Sequence, residues 1–74
     1  MKKKAIIISI KGYHLSMKEQ TLIANEKPWG LILFKRNIES LPQIISLTKK
    51  IRKLSNDKKF PILIDEEGGR VSRL

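Results

Sequence analysis

Gly30 to Asp65, GLILFKRNIESLPQIISLTKKIRKLSNDKKFPILID, reads as strand, helix and strand in one continuous stretch. Leu31-Ile32-Leu33-Phe34 is an apolar run too short for a helix, and Lys35-Arg36-Asn37 is its polar exit. Ser40 and Gln43 then have capping-box spacing, and Pro42 is tolerated in a first helical turn. Ile44, Leu47, Ile51 and Leu54 recur at helical spacing, with Lys49, Lys50 and Lys53 on the other side. Asn56-Asp57 closes this helix. Phe60 to Ile64 is a second strand, since Pro61 can open a strand but not sit in its middle, and Asp65 stands at its C-terminal end.

The same grammar extends towards the N-terminus. Ala5 to Ile10 is a β-branched run bounded by Lys11-Gly12, which suits a strand buried on both faces. Ser16 and Glu19 have capping-box spacing for a short helix from Met17 to about Asn25, with Leu22 and Ile23 facing inward and Pro28 ending the region. The order strand, short helix, strand, long helix, strand argues for parallel β/α units with right-handed crossovers. Beyond Asp65, Glu66-Glu67-Gly68-Gly69 is a loop, and no element is assigned to Arg70–Leu74. The sheet is therefore expected to have a bare edge after the third strand, a hazard because edge backbone groups recruit other chains. No internal repeat, low-complexity tract or linker interrupts the pattern.

Composition narrows the function classes. With 74 residues the chain is one small domain or part of a larger one. It has no Cys and a single His, so disulfides, thiolate metal sites and a multi-His zinc site are excluded. The formal net charge of +9 raises nucleic acid or another polyanion as a partner. The lysines are dispersed, however, and few aromatics lie among them for base stacking, so a solvated basic surface is the expectation. Met1-Lys2-Lys3-Lys4 followed by an apolar run imitates a signal peptide. The run is too short, Lys11 ends it, and no small-residue cleavage site follows. No stretch approaches the ~20 apolar residues of a membrane span. The expected setting is cytoplasmic, with no membrane partner.

The segment with chemical content is ILIDEEGGRVSR, residues 62–73. In α/β barrels functional side chains gather at strand C-terminal ends, where Asp65 stands. Its carboxylate can accept hydrogen bonds from sugar hydroxyls, while Arg70 and Arg73 offer planar, fixed-charge donors across a glycine turn. Other readings compete. Asp65 and Glu67 could share a divalent cation. A paired-carboxylate glycosidase centre needs wider separation than one short loop provides. A phosphate cradle matches neither glycine fingerprint and would be repelled by the carboxylates. In the plainest reading Asp65 caps a turn and Arg70 pairs with Glu66 or Glu67. His14 reads as a surface or packing residue, Trp29 as core rather than a sugar platform, and Lys35-Arg36-Asn37 as a turn or salt bridge rather than a pocket brace.

Two motifs together carry a family resemblance. Gly30–Asn37, GLILFKRN, resembles the G-[VL]-I-L-F-x-R-N strand of bacterial β-N-acetylhexosaminidases of glycoside hydrolase family three, and residues 65–73, DEEGGRVSR, resemble that family's D-Q-E-G-G-R-V-Q-R segment, departing at Glu66 and Ser72. The resemblance covers nearly the whole chain. It implies an α/β fold made of the first three strand/helix units of a (β/α)8 TIM-like barrel, so that residues 1–74 form the N-terminal part of a catalytic barrel and no complete domain. It implies release of terminal β-linked N-acetylglucosamine from peptidoglycan fragments in cell-wall recycling, by a retaining mechanism that needs neither metal nor cofactor. The family's catalytic Asp nucleophile and His–Asp acid–base pair lie further along its chain, so no catalytic residue carries over. Asp65 and Arg73 match positions that hold the N-acetylglucosamine unit, and Arg70 matches an Arg without an assigned role. A whole barrel takes ~250 residues, so the 74 residues alone are expected to be inactive.

Overall fold

The computed structural model describes residues 4–66 and 68–74. Its elements are β1 (Lys4–Ser9), α1 (Met17–Glu26), β2 (Pro28–Leu33), a 3-10 turn (Lys35–Asn37), α2 (Leu41–Ser55), β3 (Ile62–Asp65) and β4 (Val71–Arg73). They build one sheet in the order β1-β2-β3-β4, with the first three strands parallel and β4 antiparallel to β3. The strand–helix alternation expected from sequence is present.

Local chemistry explains both helices. Ser16 Oγ accepts from the Glu19 N–H at 3.2 Å and the Glu19 carboxylate accepts from the Ser16 N–H at 2.8 Å, completing the capping box of α1. Lys27 ends that helix in the left-handed region, and Pro28 opens β2. At α2 only half of the expected box forms. Ser40 Oγ accepts from the Gln43 N–H, but the Gln43 side-chain oxygen takes the Glu39 N–H at 2.9 Å instead. Asn56 closes α2 in the left-handed region with φ 56°, its N–H shared between the Arg52 and Lys53 carbonyls.

Strand register sorts the apolar side chains. Ile8, Leu31 and Ile62 lie opposite one another, as do Leu33 and Ile64, on one face of the sheet. Ile23 of α1 and Leu47 and Ile51 of α2 pack on that face, joined by Ile10 and Phe60, to make the core. Ile44, Leu54 and Ile64 flank it. Both helices thus cover the same face, as two successive right-handed crossovers in one direction require. The other face carries Ile7, Ile32, Leu63 and Val71, with no helix over it among the described residues.

The backbones of β2 and β3 meet closely at their N-terminal ends. The Leu31 N–H donates to the Pro61 carbonyl at 3.0 Å. A Cβ on Gly30 would stand 3.0 Å from that same oxygen, so the position takes only glycine without a shift.

Four expectations need correction. Burial of the first strand on both faces does not occur: Ile6 and Ile7 are 46% and 47% exposed, because β1 is an edge strand paired only to β2 and helices cover one face. Of Leu22 and Ile23, only Ile23 is buried. Leu22, about 100° further round the helix, meets solvent because α2 flanks α1 on one side. Trp29 is not core: it lies in β2 but is 46% exposed, although its neighbours Pro28 and Gly30 are buried, and it is not among the residues of the core cluster that the helices cover. The edge after the third strand is not bare. Gly68 and Gly69, at φ 53° and 119°, reverse the chain so that β4 pairs with β3.

Candidate functional site

All three parallel strands deliver their polar exits to one rim of the sheet. The segments concerned are residues 10–16 after β1, 34–40 after β2, and Asp65, Glu66 and Gly68 to Arg70 at the end of β3. Asn37, fully buried, ties the first two together. Its Nδ2 donates to the Ile10 carbonyl at 3.1 Å and to the Gly12 carbonyl at 2.8 Å, while its Oδ1 accepts from the Phe34 N–H at 2.8 Å. Gln43 Nε2 donates to the Tyr13 and Asn37 carbonyls at 2.6 and 2.9 Å. Arg36 lies over the Phe34 ring, 4.8 Å from its centre, and donates to the Ile10 carbonyl at 3.1 Å. From the other side the Glu19 carboxylate accepts from the Lys11 N–H at 3.1 Å. Such bonds to buried carbonyls hold the rim because each unmade one costs a desolvation penalty.

The third exit is a hairpin loop. Asp65 Oδ1 accepts from the Gly69 N–H at 3.0 Å, and the Glu66 N–H donates to the Arg70 carbonyl at 2.8 Å. Ser72 Oγ donates to the Glu66 carboxylate. The turn-capping reading of Asp65 is thus present in the structure. The bond engages one carboxylate oxygen, and the half-buried group also lines a cavity of about 400 Å³ together with Lys35, Ile38, Ile64 and Glu66. That cavity offers carboxylates that accept, an ammonium that donates and two apolar walls. A hydroxylated ring with an apolar face suits such a lining.

The two candidate substrate residues are not brought together. Arg73 pairs opposite Leu63, and its guanidinium donates to the Lys59 carbonyl at 3.4 Å, towards the N-terminal end of β3. Asp65 stands at the C-terminal end of that strand. Arg70 is exposed on the loop and His14 is exposed beside Tyr13. Glu67, one half of the cation reading, lies outside the described residues. Among the described residues no three His, Cys, Asp or Glu side chains converge as a metal site, and no helix is long and apolar enough to cross a membrane. Lys49, Lys50 and Lys53 form the exposed side of α2, as a solvated basic surface requires.

Sequence reasoning missed three contributors to this rim. Asn37 was legible only as a polar exit and Gln43 only as a capping residue, yet both are buried hydrogen-bond hubs. Ile38 gave no signal at all. The available hint was an amide side chain directly after a strand, where an exposed loop would accept almost any polar residue.

Parallel β/α units with a carboxylate at a strand exit place the chain among the α/β proteins that build sites at strand C-termini. Comparison with known proteins narrows this. The chain is 36% identical over 70 residues to a β-hexosaminidase of Psychromonas ingrahamii, matching 95% of this chain and 20% of that protein. It is 43% identical over 68 residues to the β-hexosaminidase of Haemophilus ducreyi, matching 92% of this chain and 20% of that one. NagZ of Neisseria gonorrhoeae, solved in complex with N-trifluoroacetyl-D-glucosamine, shares the fold with a TM-score of 0.76 and 30% identity, over 96% of this chain and 21% of NagZ. No family model matches the chain. In sequence and fold it is similar to part of β-hexosaminidases and of NagZ. It spans about one fifth of the length of the relatives it matches.

Proposed function

We propose that these residues form the first β/α units of a (β/α)8 barrel in a β-N-acetylhexosaminidase, and that Asp65 contributes a hydrogen-bond acceptor to the N-acetylglucosamine site. The observation that carries the reading is the placement of both helices on one face of the parallel strands. Barrels wind in one direction and keep their helices outside, whereas doubly wound sheets reverse and carry helices on both faces. The fold match to NagZ, over nearly all of this chain, supports it. The substrate is a peptidoglycan fragment with a terminal β-linked N-acetylglucosamine. Retaining hydrolysis requires a nucleophile and an acid–base group around the scissile bond. In this reading both come from the unmatched four-fifths of the enzyme, and residues 1–74 supply binding. A cytoplasmic setting belongs to the same proposal and rests on the apolar run that Lys11 cuts short.

Asp65 has two jobs in this proposal, and two variants separate them. The test protein is a chimera in which the 74 residues replace the matched segment of the Haemophilus ducreyi β-hexosaminidase. Asp65→Asn keeps an oxygen for the Gly69 N–H but loses the charge. It lowers kcat/KM on an aryl N-acetylglucosaminide about tenfold to a hundredfold. Asp65→Ala loses the turn bond as well and falls further. Unchanged kinetics in Asp65→Ala removes Asp65 from the site. The Arg73 guanidinium is directed to the Lys59 carbonyl here, away from Asp65, so Arg73→Ala is assayed separately.

A further inference from the structure

Ser72 Oγ donates to the Glu66 carboxylate, so the β3–β4 hairpin carries a side-chain bond between its two strands. Ser72 lies opposite Ile64 in the ladder, and the Glu66 N–H donates to the Arg70 carbonyl at 2.8 Å, which extends the pairing one step past Asp65. Residues two apart on a strand share a face, and so do residues directly opposite in an antiparallel pair. Glu66 and Ser72 therefore meet diagonally on the Ile64 side, across the Asp65–Val71 pair. Their chemistry is matched, because an ionised carboxylate only accepts and the serine hydroxyl is a short donor. These are also the two positions at which residues 65–73 depart from the D-Q-E-G-G-R-V-Q-R pattern, so both replacements fall on one contact.

We infer that Glu66 and Ser72 are a positioning pair for Asp65, an inference that rests on the sugar-binding reading of Asp65 given above. Asp65 Oδ1 accepts from the Gly69 N–H at 3.0 Å, and that donor sits in a turn through Gly68 and Gly69, both at positive φ. A glycine turn has little stiffness of its own. Where it stands relative to Asp65 is set at its base, by the Glu66–Arg70 backbone bond and by the side-chain bond across it. Fixing the base directs one carboxylate oxygen to Gly69 and leaves the other for a ligand hydroxyl. An acceptor aligned before the ligand arrives strengthens binding, since less ordering remains to be done in the complex. The Glu66–Ser72 bond is exposed, and such a bond adds little to global stability. Its effect belongs to ligand alignment and not to melting.

The test uses the Haemophilus ducreyi chimera and an aryl N-acetylglucosaminide. Ser72→Ala removes the donor and lowers kcat/KM about threefold to tenfold, chiefly through KM. Its melting temperature stays within about 2 °C of the parent chimera. Glu66→Ala has an effect of the same size, and the double variant is no worse than either single change, as one shared contact requires. Ser72→Thr keeps a hydroxyl and recovers most of the parent kcat/KM. The deciding measurement places Ser72→Ala in the Asp65→Ala background, where it lowers kcat/KM no further because the group it positions is gone. An undiminished effect in that background overturns the inference. So do kinetics unchanged by Ser72→Ala, or a loss that tracks a fallen melting temperature. In each of these cases Asp65→Ala still lowers kcat/KM, and the sugar-binding reading of Asp65 stands. An inactive parent chimera, or unchanged kinetics in Asp65→Ala, overturns that reading and this inference with it.

Discussion

Asn37 Nδ2 donates to the Gly12 carbonyl at 2.8 Å across 25 residues of chain, so the exits of β1 and β2 are joined by one buried amide. The same amide serves the Ile10 carbonyl and the Phe34 N–H. Removing it leaves the part-buried Gly12 carbonyl and Phe34 N–H without this partner, while the Ile10 carbonyl keeps its bond from Arg36. In the chimera, Asn37→Ala is expected to cost about 2–4 kcal/mol in chemical unfolding. Asn37→Asp should cost at least as much, because a carboxylate then faces two carbonyl oxygens it cannot donate to. A loss under about 0.5 kcal/mol, the range of ordinary surface changes, would show that other contacts hold the rim.

Gly30 tests the close approach of β2 to the segment before β3. An added methyl meets the Pro61 carbonyl at 3.0 Å and the Pro61 Cβ at 3.2 Å, and neither atom belongs to a flexible side chain. Gly30→Ala is therefore expected to destabilise the chimera by about 1–3 kcal/mol, as overpacking does. Thermal melts give the comparison, with Gly12→Ala as control: the space beside Gly12 is open and its φ lies outside the left-handed region.

Gly69 tests whether the β3–β4 hairpin organises Asp65. At φ 119° its backbone is closed to L side chains, and its N–H is the donor that Asp65 Oδ1 accepts. Gly69→Ala should cost about 1–3 kcal/mol locally and loosen β4 before the rest of the sheet. Hydrogen exchange should accelerate at the β4 amides that pair with β3 while those of β2 stay protected. Uniform acceleration throughout the sheet would mean that the hairpin is no separate unit.

The 74 residues without any partner are expected to show no glycosidase activity and poor stability. Their core is confined to one side of the sheet, and exposed Ile7, Val71, Met17 and Leu41 remain for other chains to bind. Burial yields roughly 25 cal/mol per Å², against ~1–2 kcal/mol of backbone ordering entropy per residue, and Ile7 and Val71, about half exposed, realise only part of that gain. Chemical unfolding of the purified chain should lack a cooperative transition, and size exclusion should show aggregates. A monodisperse monomer with a sharp transition would refute this, as would turnover that co-purifies with the chain and vanishes in Asp65→Ala.

The order and type of the elements from β1 to β3 were legible because they depend on near neighbours. The Ser16–Glu19 box, the Leu47–Ile51 stripe and the apolar run before Asp65 each act within a few residues, and the structure contains all three. The position of Asp65 at a strand end was legible for the same reason. What a neighbour-based reading does not reach is anything decided between distant segments. Trp29 looks like core by composition, yet whether helices extend over it depends on where α1 and α2 settle. Asn37 looks like a loop residue until Ile10 and Gly12 arrive beside it. β4 exists because Gly68 and Gly69 turn a three-residue stretch back onto β3, a pairing too short to leave a periodic signal. Which face of the sheet is bare follows from the handedness of two crossovers together, a property of the folded chain and not of any segment within it.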